Sequence, residues 1–403
     1  MALAADGYFG TLDLTSNTNV YDYSPFFYQK PLPGGECKLW PLLNKREDLR
    51  DHTCRWYEDD LLTMNMTALS SGHGALTADV TDVDLVLASG QGTSRFLRVG
   101  DILRDTTAGK KELVQVSAIS TDTLTVTRAY GLTSANGNTE THAVSAVWKL
   151  VSHLQAEGST ISAGEAVNLT ERTNYTGIID QTVTMTRSQM RRVLQGGVGD
   201  PWQYQVTKAL EKYERMMEET VIWSKEAIRT TGPLYGSTAG IKDLIIDRAG
   251  SNYVTTAAQF SYEVFDDACK TLWENGYDEG TPLVLLVPAT GKQYCAYIHE
   301  SAARAPYDSF ATKGLKATHL VSTFGHEVPI IANSHLQSDE FMILNLDLIT
   351  VRFVDTMLAY DLPLGTAGTD MAARRFISEF SLEMHNADKA HWYQLGTTFT
   401  RPS

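Results

Sequence analysis

Five small residues, Gly236-Ser237-Thr238-Ala239-Gly240, have the glycine spacing of the turn that presents a hydrolase nucleophile. A hydroxyl at the centre of such a turn could attack a carbonyl if a base stood beside it. The central residue is Thr238, and no strand-like run leads into it. The expected reading is a tight turn after Gly232-Pro233, with hydrolysis through Thr238 kept as an alternative. Gly196-Gly197-Val198-Gly199-Asp200-Pro201 is glycine-rich just before a helix start, where backbone N–H groups can hold phosphate. It has neither GxxxxGK[ST] nor GxGxxG, and no apolar strand precedes it, so it reads as a hinge.

Ten histidines are scattered along the chain, at 52, 73, 142, 153, 299, 319, 326, 335, 385 and 391. There is no HExxH, and no pair has metal-ligand spacing backed by a carboxylate motif. His299 and His385 read as surface or capping residues. Glu58-Asp59-Asp60 offers hard oxygens for a cation, but lacks an EF-hand pattern and reads as a solvated strand end. Arg191-Arg192 and Arg374-Arg375 could meet carboxylates across an interface or form single salt bridges within the chain. The four cysteines, at 37, 54, 269 and 295, form no CxxC and no zinc pattern. Cys269 and Cys295 sit in apolar surroundings and read as small buried hydrophobes, which fits a reducing compartment. No residue is therefore expected to be catalytic, to bind a cofactor or to hold a metal.

The elements that would position these residues follow from composition and pattern. The chain has 403 residues, 43% hydrophobic and 20% charged, enough for two or three domains. Its formal net charge of −14 argues against a surface built to grip nucleic acid. The start, MALAADGYFGTLDL, has no basic region and no long apolar run, so it is not a signal peptide. No run approaches the roughly 20 apolar residues of a membrane span. The N-x-T triplets at Asn65, Asn168 and Asn174 thus carry little meaning for glycosylation.

Residues 1–53 are irregular, turn-rich and aromatic, with Tyr8, Phe9, Tyr21, Tyr23, Phe26, Phe27, Tyr28 and Trp40. They read as an arm whose aromatics dock on the protein's own body or on a neighbouring chain. CRWYEDDLLTMNM (54–66) reads as one kinked strand. From 73 to 155, short alternating strands separated by Gly or Asp predict a small barrel or sandwich inserted between polar, Gly-rich ends. From Gly158 to Thr173 the chain is mostly polar with little to bury, and Thr-rich extended residues run on to Thr186. Asp200 then caps a helix of about 25 residues, roughly 37 Å long, with Val206, Leu210, Tyr213, Met217 and Val221 as its apolar stripe. Beyond Gly232 the pattern is mixed: helices over 262–276 and 291–302, a buried strand over 282–289, a hairpin turning at 324–327, one or two strands over 341–354, and an alternating strand from 375.

This order of parts resembles the Hong-Kong-97-type major capsid proteins of tailed bacteriophages. SPFF (24–27), RWYEDDL (55–61), AEG (156–158), ERTNYTGIIDQTVTMT (171–186) and EFSLEMHNADKAHWYQLG (379–396) resemble one branch of that class, a family of phage major head proteins. The resemblance covers most of residues 20–400. It implies an α+β fold with an N-terminal arm (1–53), extended-loop strands (54–72 and 156–195) and a β-barrel-like insertion domain (73–155). It also implies a peripheral domain with a spine helix (196–231 and 361–403) and an axial domain (232–360). The insertion departs from the basic pattern. The self-cross-linking chemistry known in the class has no matching site here.

The resemblance implies a non-enzymatic subunit that assembles into hexamers and pentamers of an icosahedral head. Such a head encloses double-stranded DNA without sequence-specific binding. A portal, and scaffolding or decoration proteins, would be its partners; no membrane is involved, and assembly would occur in the host cytoplasm. The chain begins at Met1 with no large cleavable scaffold segment, which leans against N-terminal processing. The strand 171–186 would then lie over a neighbouring subunit and need no core of its own. The insertion would sit exposed on the outer surface and clamp neighbouring capsomers, and the acidic charge would line the inner wall. The alternatives are an encapsulin-like cellular shell, a hydrolase using the 232–240 turn, and a β-rich binding module.

Overall fold

The computed structural model describes residues 38–59, 64–70, 74–89, 97–131, 139–158, 169–191, 200–229, 235–248, 252–278, 280–302, 319–362 and 371–399, the side chains of 299–302, 355–358 and 362 aside. The chain divides into two compact units: Met1–Trp56 with Arg172–Ser403, and Tyr57–Glu171. The aromatics of the arm before residue 38 lie outside the described residues. So do residues 159–168 of the polar stretch, the glycines 196–199 and Gly232-Pro233.

The first unit holds two sheets. In the four-stranded sheet the order is Arg46–Asp48, Ile349–Leu362, Met371–Met384, Gly177–Thr186. The first pair is parallel and the others antiparallel. Phe376, Ser378, Phe380, Leu382 and Met384 alternate along one strand, and all five are buried. That is the period of two expected when one sheet face packs inward. The long helix Pro201–Trp223 covers this face. Asp200 caps it by accepting from the Trp202 N–H at 2.9 Å, and Pro201 takes the first turn, where no N–H is needed. Val206, Ala209, Tyr213, Met217 and Val221 recur at helical spacing and join Ile179 and Phe380 in one core. The Tyr213 hydroxyl donates to Ser378 Oγ at 2.5 Å, so this buried polar pair is satisfied.

The six-stranded sheet runs Tyr253–Val254, Trp392–Leu395, Glu340–Asn345, Leu283–Val287, Glu327–Ala332, His319–Val321. Leu283–Val287 is central and buried throughout, as its unbroken apolar run predicts. Helix Tyr262–Glu274, capped by Ser261, stops before Gly276, whose φ of +93° only glycine adopts without strain. Helix Ala289–Ala302 follows the central strand. Gly325, with φ +88°, turns the hairpin between His319–Val321 and Glu327–Ala332.

Several expected boundaries move. Residues 171–186 form two strands broken at Thr176: Thr170–Tyr175 pairs with Thr53–Glu58, and Gly177–Thr186 joins the four-stranded sheet. The second half is thus not a bare loop strand. It pairs over ten residues with Met371–Met384, and Ile179 and Met185 are buried. Residues 54–66 are likewise two strands, Thr53–Glu58 and Asn65–Thr67, in different sheets. The expected division at 360/361 falls inside the strand Ile349–Leu362, while Trp392–Leu395 belongs to the six-stranded sheet. Local pattern marks strands, but which sheet each joins is set by pairing far away in sequence.

The second unit begins ahead of residue 73, because Asn65–Thr67 pairs with Val147–Ser152. Its sheet order is Asn65–Thr67, Val147–Ser152, Ile102–Asp105, Leu113–Ser120, Thr123–Thr127, Asp84–Val86. The two outer strands meet: Leu69 N–H donates to Val86 O at 2.8 Å, Ala88 N–H to Thr67 O at 2.9 Å, and Ala68 bridges Leu87. The sheet therefore closes into a barrel, which removes its free edges. Trp148, Leu103, Val114, Leu124 and Leu85 fill it, each fully buried.

Candidate assembly surface and buried polar sites

Thr238 is buried, and the structure gives its hydroxyl a scaffolding role. Thr238 Oγ1 accepts from the Leu382 N–H at 3.2 Å and from Asn174 Nδ2 at 3.1 Å. Asn174, also buried, donates to Ala239 O and Leu382 O and accepts from the N–H groups of Ala239 and Tyr175. Turn, strand and sheet are thus tied by one saturated amide. No histidine or carboxylate hydrogen-bonds the threonine among the described residues. Gly240 is required there, because a Cβ would sit 2.9 Å from Val221 O and 3.0 Å from Ile222 O. Thr238→Ala should lower unfolding stability by about 1–3 kcal/mol, since Leu382 N–H loses its buried acceptor. Denaturant melts check this; unchanged stability together with loss of an ester-hydrolysing activity would return Thr238 to the role of nucleophile.

The other sequence candidates stay apart. Glu58 is buried, not solvated, and Asp59 is exposed: adjacent strand residues face opposite sides. Asp60 lies outside the described residues. Arg375 Nε bonds Asp180 Oδ1 at 2.6 Å and Arg374 Nε lies 3.5 Å from Asp361 Oδ1, both within the chain. Arg191 is exposed and Arg192 lies outside the described residues. His385 contacts Glu383 at 2.7 Å, His153 Asp101 at 2.6 Å and His52 Asp51 at 2.7 Å. His319 is exposed, His326 is buried and His335 is half-buried; His73 and the side chain of His299 lie outside the description. Among the described residues no group of three or more His, Cys, Asp or Glu could hold a metal ion. Cys54, Cys269 and Cys295 are free and buried, and burial pushes each thiol up to about 12, so none is a ready nucleophile. Cys37 lies outside the described residues. Asn174, as a buried amide, is closed to glycosylation, Asn65 is exposed, and Asn168 lies outside the description.

Three buried polar sites escaped sequence reading. In the barrel, Arg128 forks onto Glu112 with two bonds of 2.8 Å and donates to the carbonyls of Thr77, Asp82 and Glu140. His142 bridges Asp105 at 2.7 Å and Glu112 at 3.1 Å. All four side chains have zero exposure. Hydrogen bonds from Arg128, His142 and backbone N–H groups outweigh burial and hold the Glu112 carboxyl well below its usual range. Asp105, Glu112 and Arg128 sit at strand ends and His142 at an isolated bridge to Leu76, with irregular spacing, so no periodicity reveals them.

In the first unit, Glu218 is buried in the apolar face of the long helix. It accepts from Asn333 Nδ2 at 2.7 Å, from Lys38 N–H at 3.2 Å and from Trp40 N–H at 3.4 Å. Leu39 and Leu43 are buried beside it, and Trp40 packs edge-on against Phe353 and Phe380. The described end of the arm therefore docks on its own body. The third site is Lys242, whose Nζ contacts Glu340 Oε1 at 2.5 Å and lies over the Trp223 ring at 2.9 Å. Burial lowers the Lys242 ammonium to about 8.

The surface of the first unit leaves apolar groups in water. Gly177–Thr186 ends the four-stranded sheet, so its outer edge has no strand partner among the described residues. Ile178 on that strand and Trp223 at the helix end are 50% and 37% exposed, and they line one groove with Met216 and Thr220. Tyr235 is 85% exposed. An open edge beside exposed apolar side chains is what a chain covered by other copies presents.

A family model described as SU10 major capsid protein matches residues 36–397. No curated protein sequence matches the chain. Solved structures share distant likeness. One, of Mycobacterium phage Bobi, is 9% identical with a TM-score of 0.49, over 95% of this chain and 97% of that one. One of Mycobacterium phage Adephagia is 9% identical with a TM-score of 0.48, over 96% and 97%. The holo-SrpI encapsulin complex of Synechococcus elongatus is 13% identical with a TM-score of 0.42, over 59% and 80%.

Proposed function

Because the chain belongs to the SU10 major capsid protein family, we propose that it builds an icosahedral phage head as hexamers and pentamers around double-stranded DNA. The family match over residues 36–397 carries this reading. The protein is a structural component of the virion capsid. In the Hong-Kong-97-type layout, the helix Pro201–Trp223 with its four-stranded sheet corresponds to the peripheral domain. The six-stranded sheet corresponds to the axial domain, and Tyr57–Glu171 is an insertion in the extended loop.

The role needs no catalysis, and the buried Thr238 hydroxyl and high thiol pKa values fit that. Its chemistry is association. The edge strand Gly177–Thr186, with one side unpaired among the described residues, gains further order from a neighbour that pairs with it, which offsets about 1–2 kcal/mol of backbone entropy per residue so ordered. Heterologous contacts whose rotation closes give rings of five and six. The net charge of −14 suits a container whose DNA must not adhere to its wall. Portal and scaffolding partners, and assembly in the host cytoplasm, belong to the same proposal.

Electron microscopy of the purified protein, with size-exclusion chromatography alongside, tests it. Hollow shells, or rings of five and six, are the expected result. A stable monomer at all concentrations would overturn the reading. Shells that recruit a cellular enzyme and no DNA would favour an encapsulin-like role.

A further inference from the structure

On the outside of the barrel, charge is sorted by wall. Arg104 and Lys149 stand directly opposite each other on the neighbouring strands Ile102–Asp105 and Val147–Ser152, and both are exposed. Like charges in register repel. Neither forms an ion pair with a described residue, and the outward residues around them, Asn65, Val147 and Val151, are uncharged. An arrangement that costs stability in the isolated subunit is relieved when an anionic surface covers it.

The barrel itself carries such a surface on its far side. Asp84 is exposed at the start of Asp84–Val86, opposite Thr125. Asp79, exposed, and Asp82, half-buried, stand in the turn that enters the same strand. The outward residues of the neighbouring strand are Thr123, Thr125 and Thr127, so that strand sets no cation against Asp84; Arg128 acts on the Asp79 and Asp82 turn only from inside the barrel, where it is buried. In the closed order, Leu113–Ser120 separates the two walls on one side and Asn65–Thr67 on the other. The basic and acidic walls therefore lie across the barrel from each other. Both charge groups sit toward the same end, where Ile102–Asp105 finishes and Asp84–Val86 begins.

Two complementary patches on opposite sides of one module define a head-to-tail contact, the kind that closes into a ring. We propose that the insertion barrels of neighbouring subunits dock on one another in the assembled shell, the Arg104/Lys149 wall of one copy against the Asp79/Asp82/Asp84 wall of the next. This inference rests on the shell-forming reading and assigns the barrel its partner, a second copy of itself. A contact made of exposed charges weakens as salt rises, because the screening length falls to about 8 Å at physiological ionic strength and about 3 Å at 1 M.

Charge reversal and its rescue test the pairing. Full-length protein is prepared as wild type, as R104E/K149E, as D79K/D84K and as the combination of all four. Circular dichroism checks each fold, and light scattering with negative-stain microscopy follows shells through a salt series and a heating ramp. Each single-wall reversal should release shells at several-fold lower salt and at lower temperature than wild type. The four-fold variant should restore both toward wild type. Unchanged shells in either single-wall variant would overturn the proposal. So would folded four-fold variants without rescue, the result expected if the basic wall binds some other anionic partner. Wild-type protein that forms no shells would defeat the shell reading itself, a different outcome from shells indifferent to these charges.

Discussion

Arg128→Met should cost the barrel about 3–5 kcal/mol, the range seen when one partner of a buried charge pair is removed. The reason is what remains behind. Glu112 would keep only His142 and the N–H groups of Ala129 and Glu140, while sitting at zero exposure. The carbonyls of Thr77, Asp82 and Glu140 would lose their shared donor as well. Arg128→Lys should not rescue it, because an ammonium cannot fork onto Glu112 and reach three carbonyls in one plane. Replacing the pair together, Glu112→Gln with Arg128→Met, should recover part of the loss. Chemical denaturation of the full chain, followed through Trp148, which packs 4.6 Å from the His142 ring, is the measurement. A loss below about 1 kcal/mol would show that the cluster is dispensable to the barrel.

Acid should weaken the first unit through His391. This ring is fully buried, and its Nδ1 accepts from the Asn345 N–H at 3.2 Å, so the neutral tautomer carries its proton on Nε2. Burial pushes the imidazolium down to about 3. Below the unfolded value of about 6.5 the unfolded chain binds a proton that the folded chain refuses, so stability falls as pH falls. The full contribution is present above pH 6.5 and is lost progressively toward pH 3. The loss should reach about 2 kcal/mol by pH 5 and about 4–5 kcal/mol near pH 3. The carboxyl of Glu383 in the same unit, and at still more acid pH that of Asp105 in the barrel, each held low by hydrogen bonds against the pull of burial, act in the same direction on their own units. Their stabilisation is present above the unfolded carboxylate range and disappears as pH drops through their folded values. Urea titrations between pH 7 and 5 isolate the histidine, and His391→Asn keeps an acceptor for Asn345. An equal slope in H391N and wild type would remove His391 as the cause.

The two effects act on different units. Arg128 governs the barrel that carries the charged walls, and His391 governs the body around the six-stranded sheet. Loss of shells on acidification without loss of barrel structure would therefore trace to the body, a distinction that far-ultraviolet and tryptophan signals can separate.

Much of this protein was legible residue by residue. The Asp200-Pro201 cap, the stripe from Val206 to Val221, the continuous run Leu283–Val287 and the alternation from Phe376 to Met384 each express a local period against one buried face. Glycine marked the turns at Gly276 and Gly325 because positive φ is a local demand. Apolar surroundings marked Cys269 and Cys295. The order of parts was enough to reach the capsid class.

Tertiary structure decided the partners. That residues 171–186 break at Thr176 and enter two sheets depends on strands more than a hundred residues away. Barrel closure rests on three contacts between its first and last strands, which no alternation encodes. Arg128, Glu112, His142 and Asp105 look like surface charges in one dimension and meet only because three strand ends and the Leu76–His142 bridge come together in the barrel. Glu218 looks like part of the helix's polar side, yet the arm's N–H groups draw it into the core. Periodicity records which way a side chain faces. A buried charge is tolerated for the opposite reason, its partners, and those are fixed by the fold.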